Sequence, residues 1–75
     1  MPEKVTYAIR RRLAILSTEE SSGWTKEANI VSWNGGPEKV DIRRWNPDHT
    51  KMSKGITLDK EEASELSEVL AELFR

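Results

Sequence analysis

The chain has 75 residues, enough for one domain spanning 1–75 and close to the smallest size that a single apolar core supports. It has no cysteine, so neither disulfides nor thiolate metal sites can supply stability, which leaves a compact core or self-association. The net charge of −1 hides an uneven split: residues 1–58 carry ten Lys/Arg against seven Asp/Glu, a net of +3, and residues 59–75 carry two against six, a net of −4. Anion binding is therefore expected away from the C-terminal segment. No run approaches the roughly 18 apolar residues of a membrane span, and Met1-Pro2-Glu3-Lys4 does not open like a secretory signal. A cytosolic place and no membrane partner are the expectation.

In chain order, residues 5–17 (VTYAIRRRLAILS) alternate and read as a long strand rich in β-formers. Val5, Tyr7, Ile9, Leu13 and Ile15 share one face with Arg11 as the exception; Thr6, Ala8, Arg10, Arg12 and Ala14 share the other. Arg10 and Arg12 are candidates for phosphate contact, and their plainer role is a charged edge that blocks strand-to-strand association. Ser17 to Gly23 is a polar hairpin loop. Trp24 to Trp33 is a second strand in which neither face is plainly the core, so its register stays open. Trp24 and Trp33 suit packing and base stacking equally, and Lys26 and Lys39 are supporting charges. Asn34-Gly35-Gly36-Pro37 is a strong hairpin turn.

Lys39 to Leu58 reads as strand, turn, strand. Val40 and Ile42 alternate with Asp41 and Arg43, which puts Arg43 and Trp45 together on the expected outward face. A guanidinium and an indole two residues apart would suit nucleic acid, one pairing with phosphate and the other stacking on a base. The competing reading is a cross-strand cation–π or salt-bridge pair with Trp45 partly in the core. Asn46-Pro47-Asp48 breaks the strand. Met52 to Leu58 returns as a fourth strand carrying Lys54, with Gly55 marking a bulge or a close backbone approach.

The helix comes directly after it. Asp59 is a good N-cap, Glu62 completes a capping box, and Leu58 and Ala63 take the staple positions. Ala63, Leu66, Val69, Leu70, Leu73 and Phe74 cover an arc of about 140°, with Glu61, Glu65, Glu68 and Glu72 opposite. So broad a stripe exceeds what one four-stranded sheet can hide, so a homodimer is expected through Leu66, Val69, Leu70, Leu73 and Phe74 and the sheet beneath them. The fold class is α+β, a four-stranded antiparallel meander followed by one C-terminal helix.

Asp41-Ile42-Arg43, the aromatic Trp45, a Pro-Asp turn, and Lys54-Gly55-Ile56-Thr57-Leu58 running into a capped helix with Glu61-Glu62 and Leu66 together resemble the C-terminal domain of the transcriptional positive cofactor four family. The likeness is close over roughly residues 31–70 and strongest to the short bacterial members. It implies a curved sheet backed by one helix, dimerised so that single-stranded DNA lies across two channels. By position, Arg43 matches the family's DNA-contacting arginine, Trp45 lies where the family has an aromatic, and Lys54 matches the basic residue before Gly-Ile. Lys26 stands one position off the family's lysine in the preceding strand, beside Glu27.

The expected function is sequence-tolerant binding of single-stranded DNA in support of transcription, replication or repair, with single-stranded RNA left open and transcription or repair proteins as further partners. The alternative is a module that docks an acidic protein on its basic sheet face. A duplex-binding regulator ranks third, because an acidic helix is a poor recognition helix. No cofactor or metal is expected: His49 sits in a turn with no neighbouring ligand. Serines without a His/acid set, and carboxylates on a helix surface, give catalysis no footing, so an enzyme is not expected.

Overall fold

The computed structural model describes residues 5–75; Met1–Lys4, on which the absence of a secretory signal was read, lies outside them. Four strands, β1 (Tyr7–Thr18), β2 (Thr25–Trp33), β3 (Glu38–Trp45) and β4 (Ile56–Leu58), form one open antiparallel sheet in the order β1-β2-β3-β4, followed by helix α1 (Lys60–Leu73). This is the expected meander plus helix.

Local chemistry places the two firmest boundaries. Asn34 and Gly35 both take positive φ, 51° and 71°, and the Gly36 amide donates to the Trp33 carbonyl at 2.8 Å. Two successive positive-φ residues make the turn whose twist matches a hairpin, and Asn-Gly is the pair that adopts it most readily. That turn sets the β2–β3 register at Lys26↔Arg44, Ala28↔Ile42 and Ile30↔Val40, which resolves the open faces of β2. At the helix start the Asp59 carboxylate accepts from the Glu62 amide at 2.8 Å and the Glu62 carboxylate accepts from the Asp59 amide at 2.9 Å, a complete capping box.

β1 departs from simple alternation. Register shifts between Ile9 and Arg11, Arg12 and Ala14, and Ile15 and Ser17 make Arg10, Leu13 and Leu16 extra residues in the ladder. Each bulge bends the strand and flips the phase of the residues after it. Arg11 pairs with Ile30 and Arg12 with Asn29, so these two lie on opposite faces, and Arg10 and Arg12 do not form the expected pair. β4 is also shorter than expected. Met52 makes only an isolated bridge to Trp45, and pairing resumes at Ile56. Gly55 is the close approach that the sequence suggested: a Cβ there would collide with the Ile42 carbonyl and Arg43.

The main correction concerns which face is buried. The face carrying Glu27, Asn29, Val31, Asp41 and Trp45 holds nearly all the fully buried residues, whereas Ile30, Val40, Ile42 and Leu58 opposite are only half-buried and Ile56 is exposed. Val40 and Ile42 are thus not the core pair. The buried face is roofed by Tyr7 and the β3–β4 connection: the Tyr7 hydroxyl donates to the His49 carbonyl at 2.6 Å, and His49 Nε2 lies 2.9 Å from the Glu27 carboxylate. The first turn of α1 sits over the other face, where Lys60 and Ala63 line a groove with Ile30 and Val40. The helix rests chiefly on β3 and β4, and none of its residues is fully buried.

Candidate nucleic-acid interface

Arg43 is fixed by its surroundings. Its Nε and Nη2 donate to the two Asp41 carboxylate oxygens at 2.6 and 2.7 Å, a bidentate pair whose side chains are 13% and 0% exposed. Its Nη1 reaches the Ser53 carbonyl at 3.4 Å, and the guanidinium carbon lies 4.5 Å from the Trp33 ring centre. Thr57 Oγ1 donates to the same Asp41 carboxylate at 2.9 Å. Arg43 therefore braces β3 against the connection to β4. A bidentate guanidinium–carboxylate pair in a dry site holds its geometry firmly and leaves little of the fork free.

Trp45 is 0% exposed, with ring centres 5.2 Å from Tyr7 and 5.5 Å from His49. The expected outward platform of Arg43 and Trp45 is thereby corrected: in this arrangement the pair faces the roofed side, and the indole has no open surface for a base. Trp33 is partly exposed, but Arg43 covers one side of its ring and Tyr7 packs 6.0 Å away. The indole nitrogens of Trp33 and Trp45 and the Asn29 amide oxygen are buried and have no hydrogen-bond partner among the described residues.

His49 is not isolated, contrary to the expectation from its turn position. It takes positive φ of 59° and bonds Glu27, which also accepts from Thr25 and from Asn29. Burial alone would raise the Glu27 carboxyl, but the hydrogen bonds from Thr25, Asn29 and His49, with the His49 charge, prevail and hold it below the usual 4.5. This is a structural clamp. Among the described residues no cluster has the makings of a metal site.

The other expected site residues fall into three groups. Lys26 and Lys54, both exposed, border an open groove of about 330 Å³ floored by Ile42 and Ile56. Arg10 and Lys39 line a second groove of about 550 Å³ on the helix side, beside the start of α1. Arg12 stands apart in a third depression with Leu13 and Ile15. Trp24, immediately before β2, is partly exposed and lies under Arg44, whose guanidinium carbon is 5.5 Å from its ring centre. Arg44 was missed in the sequence. It could have been found by counting outward from the Asn34-Gly35 turn, which places it opposite Lys26.

The fold and its surface define a small ββββα domain with Lys26, Arg44, Lys54 and the half-exposed Trp24 at the end of the sheet where the β1–β2 loop meets the β3–β4 connection. The family model described as Transcriptional Coactivator p15 (PC4) matches residues 21–69, and the chain belongs to that family. The family's domain is a single-stranded-DNA-binding, coactivator-type, non-enzymatic domain. A Treponema pallidum (strain Nichols) protein described as an uncharacterized protein is 47% identical over 64 residues, which cover 85% of this chain and 74% of the relative. Among the described residues no helix is long and apolar enough to cross a membrane.

Proposed function

We propose that this chain binds single-stranded DNA with little sequence preference, as a homodimer, in the bacterial cytosol or nucleoid, in support of transcription, replication or repair, and that it is not an enzyme. The observation that carries the reading is the groove between Lys26 and Lys54, in a chain of this family. Its two ammonium groups suit a phosphate chain, and the apolar floor of Ile42 and Ile56 suits sugars and bases. Arg43 serves here by positioning the strand that carries Arg44 and the connection that carries Lys54.

The dimer is supported by what one protomer leaves uncovered. Leu66, Val69, Leu70, Leu73 and Phe74 are 36–81% exposed, opposite a sheet face whose aliphatic residues are only half-buried. Covering these five side chains would be worth roughly 5–10 kcal/mol in each protomer, about twice that in a symmetric dimer, against an association cost of about 4–15 kcal/mol.

Anisotropy of a fluorescein-labelled single strand of about 20 nucleotides tests the site. In Lys26→Ala and Lys54→Ala each lost phosphate contact should weaken binding and flatten the log–log salt slope by about 0.7. Unchanged affinity and slope in both variants would refute this groove as the site.

A further inference from the structure

Beside that groove, Arg44 is held between an indole and a carboxylate. Its guanidinium carbon lies 5.5 Å from the Trp24 ring centre, and its Nη2 lies 3.3 Å from Glu19 Oε2. The pair is open to solvent, with side chains 40% and 52% exposed, so a ligand can reach it. The acidic member is fixed in place. The Glu19 amide donates to the Trp24 carbonyl at 2.8 Å, the Gly23 amide donates to the Glu19 carbonyl at 2.8 Å, and the Ser22 hydroxyl bonds the Glu19 carboxylate while accepting from the Trp24 amide at 3.2 Å. Gly23 sits at φ +78°, which favours glycine and lets the loop fold back on Trp24.

We propose that Trp24 and Arg44 form a nucleotide subsite, and that the Glu19 carboxylate occupies its phosphate position in the free protein. The proposal rests on the single-stranded DNA reading and adds one position to it. An aromatic face, a guanidinium and an oxyanion are the three parts of a stacked base and its phosphate, and all three are present within one loop and the end of β3. An incoming phosphate takes over the guanidinium from Glu19, and the base stacks on the Trp24 face that Arg44 leaves. Glu19 then acts as an internal competitor that weakens this position against weak anions and leaves it to a polyanion bound at Lys26 and Lys54. Lys26, paired with Arg44 across β2 and β3, makes the subsite continuous with the groove.

The test is a double-mutant cycle on binding of fluorescein-labelled oligothymidine of about 20 nucleotides, with folding of each variant checked by thermal melting. Glu19→Gln should tighten binding about two- to fivefold, the range set by freeing one exposed charge pair. Arg44→Ala should weaken it about three- to tenfold, and in that background Glu19→Gln should have no effect. Glu20→Gln removes the same charge from the neighbouring residue, which forms no ion pair among the described residues, and should change affinity far less. A Glu19→Gln effect that is absent, matched by Glu20→Gln, or retained without Arg44 would overturn the subsite while leaving the binding function standing. Failure of the unmodified protein to bind the oligonucleotide would overturn both.

Discussion

Arg43→Ala should act first on folding. The substitution strips the Asp41 carboxylate, 0% exposed, of both guanidinium bonds and leaves it only the Thr57 hydroxyl among its described side-chain partners. Breaking one side of a buried ion pair costs about 3–5 kcal/mol, because the remaining charge stays desolvated. A domain of this size has about 5–15 kcal/mol in total, so the midpoint of thermal unfolding should fall by more than about 12 °C. Urea unfolding followed by tryptophan fluorescence, at one fixed protein concentration because a dimer's stability depends on it, gives the number. Asp41→Asn combined with Arg43→Met should recover a large part of the loss, since neither charge is then stranded. Arg43→Ala with stability within about 0.5 kcal/mol of the parent would refute the bracing role and leave Arg43 free to contact a ligand.

Gly55→Ala should destabilise by about 1–3 kcal/mol, because the new methyl meets backbone of β3 that cannot step aside; a thermal melt checks it, and a neutral result would contradict the close approach. Glu27 is held below 4.5, so its contribution is fully present above the ordinary glutamate range and disappears as pH falls through the depressed value. Glu27→Gln should therefore lose stability at neutral pH, and its deficit relative to the parent should shrink as pH is lowered below the ordinary glutamate range, in urea melts run across that range. Leu70→Asp, placing a charge in the uncovered helix stripe, should halve the mass seen by light scattering while leaving the circular-dichroism spectrum of the fold in place. A mass unchanged by that substitution would place the interface elsewhere.

Elements governed by near neighbours were legible from the chain alone. The capping box at Asp59 and Glu62, the Asn34-Gly35 turn and the crowding at Gly55 each depend on a few adjacent residues, and each stands where the sequence placed it. The sidedness of the sheet was not legible. Alternation says that Asp41, Arg43 and Trp45 share a face, but it cannot say whether a helix or a loop covers that face. Here the β3–β4 connection does, through His49 and Tyr7, and the charges of Asp41 and Arg43 cancel each other inside it. β1 misled for a related reason. With three bulges in twelve residues its phase is set by pairing to β2, and Arg11 was the only outward sign that simple alternation fails. The candidate site was half legible. Lys26, Lys54 and Trp24 could be named, whereas Arg44 gains its place from cross-strand register and Glu19 from a loop closure that no pattern announces.

The most direct test of the binding claim is a tryptophan-fluorescence titration with a single strand of about 20 nucleotides, repeated at two salt concentrations and with the matching duplex. Trp45 is enclosed and Trp33 lies under Arg43, so Trp24 should carry most of the signal. Saturable quenching that weakens with salt, is much stronger for the single strand than for the duplex, and largely disappears in Trp24→Phe is the expected result. A response that never saturates, or one equally strong with duplex, would contradict single-stranded DNA binding at this end of the sheet.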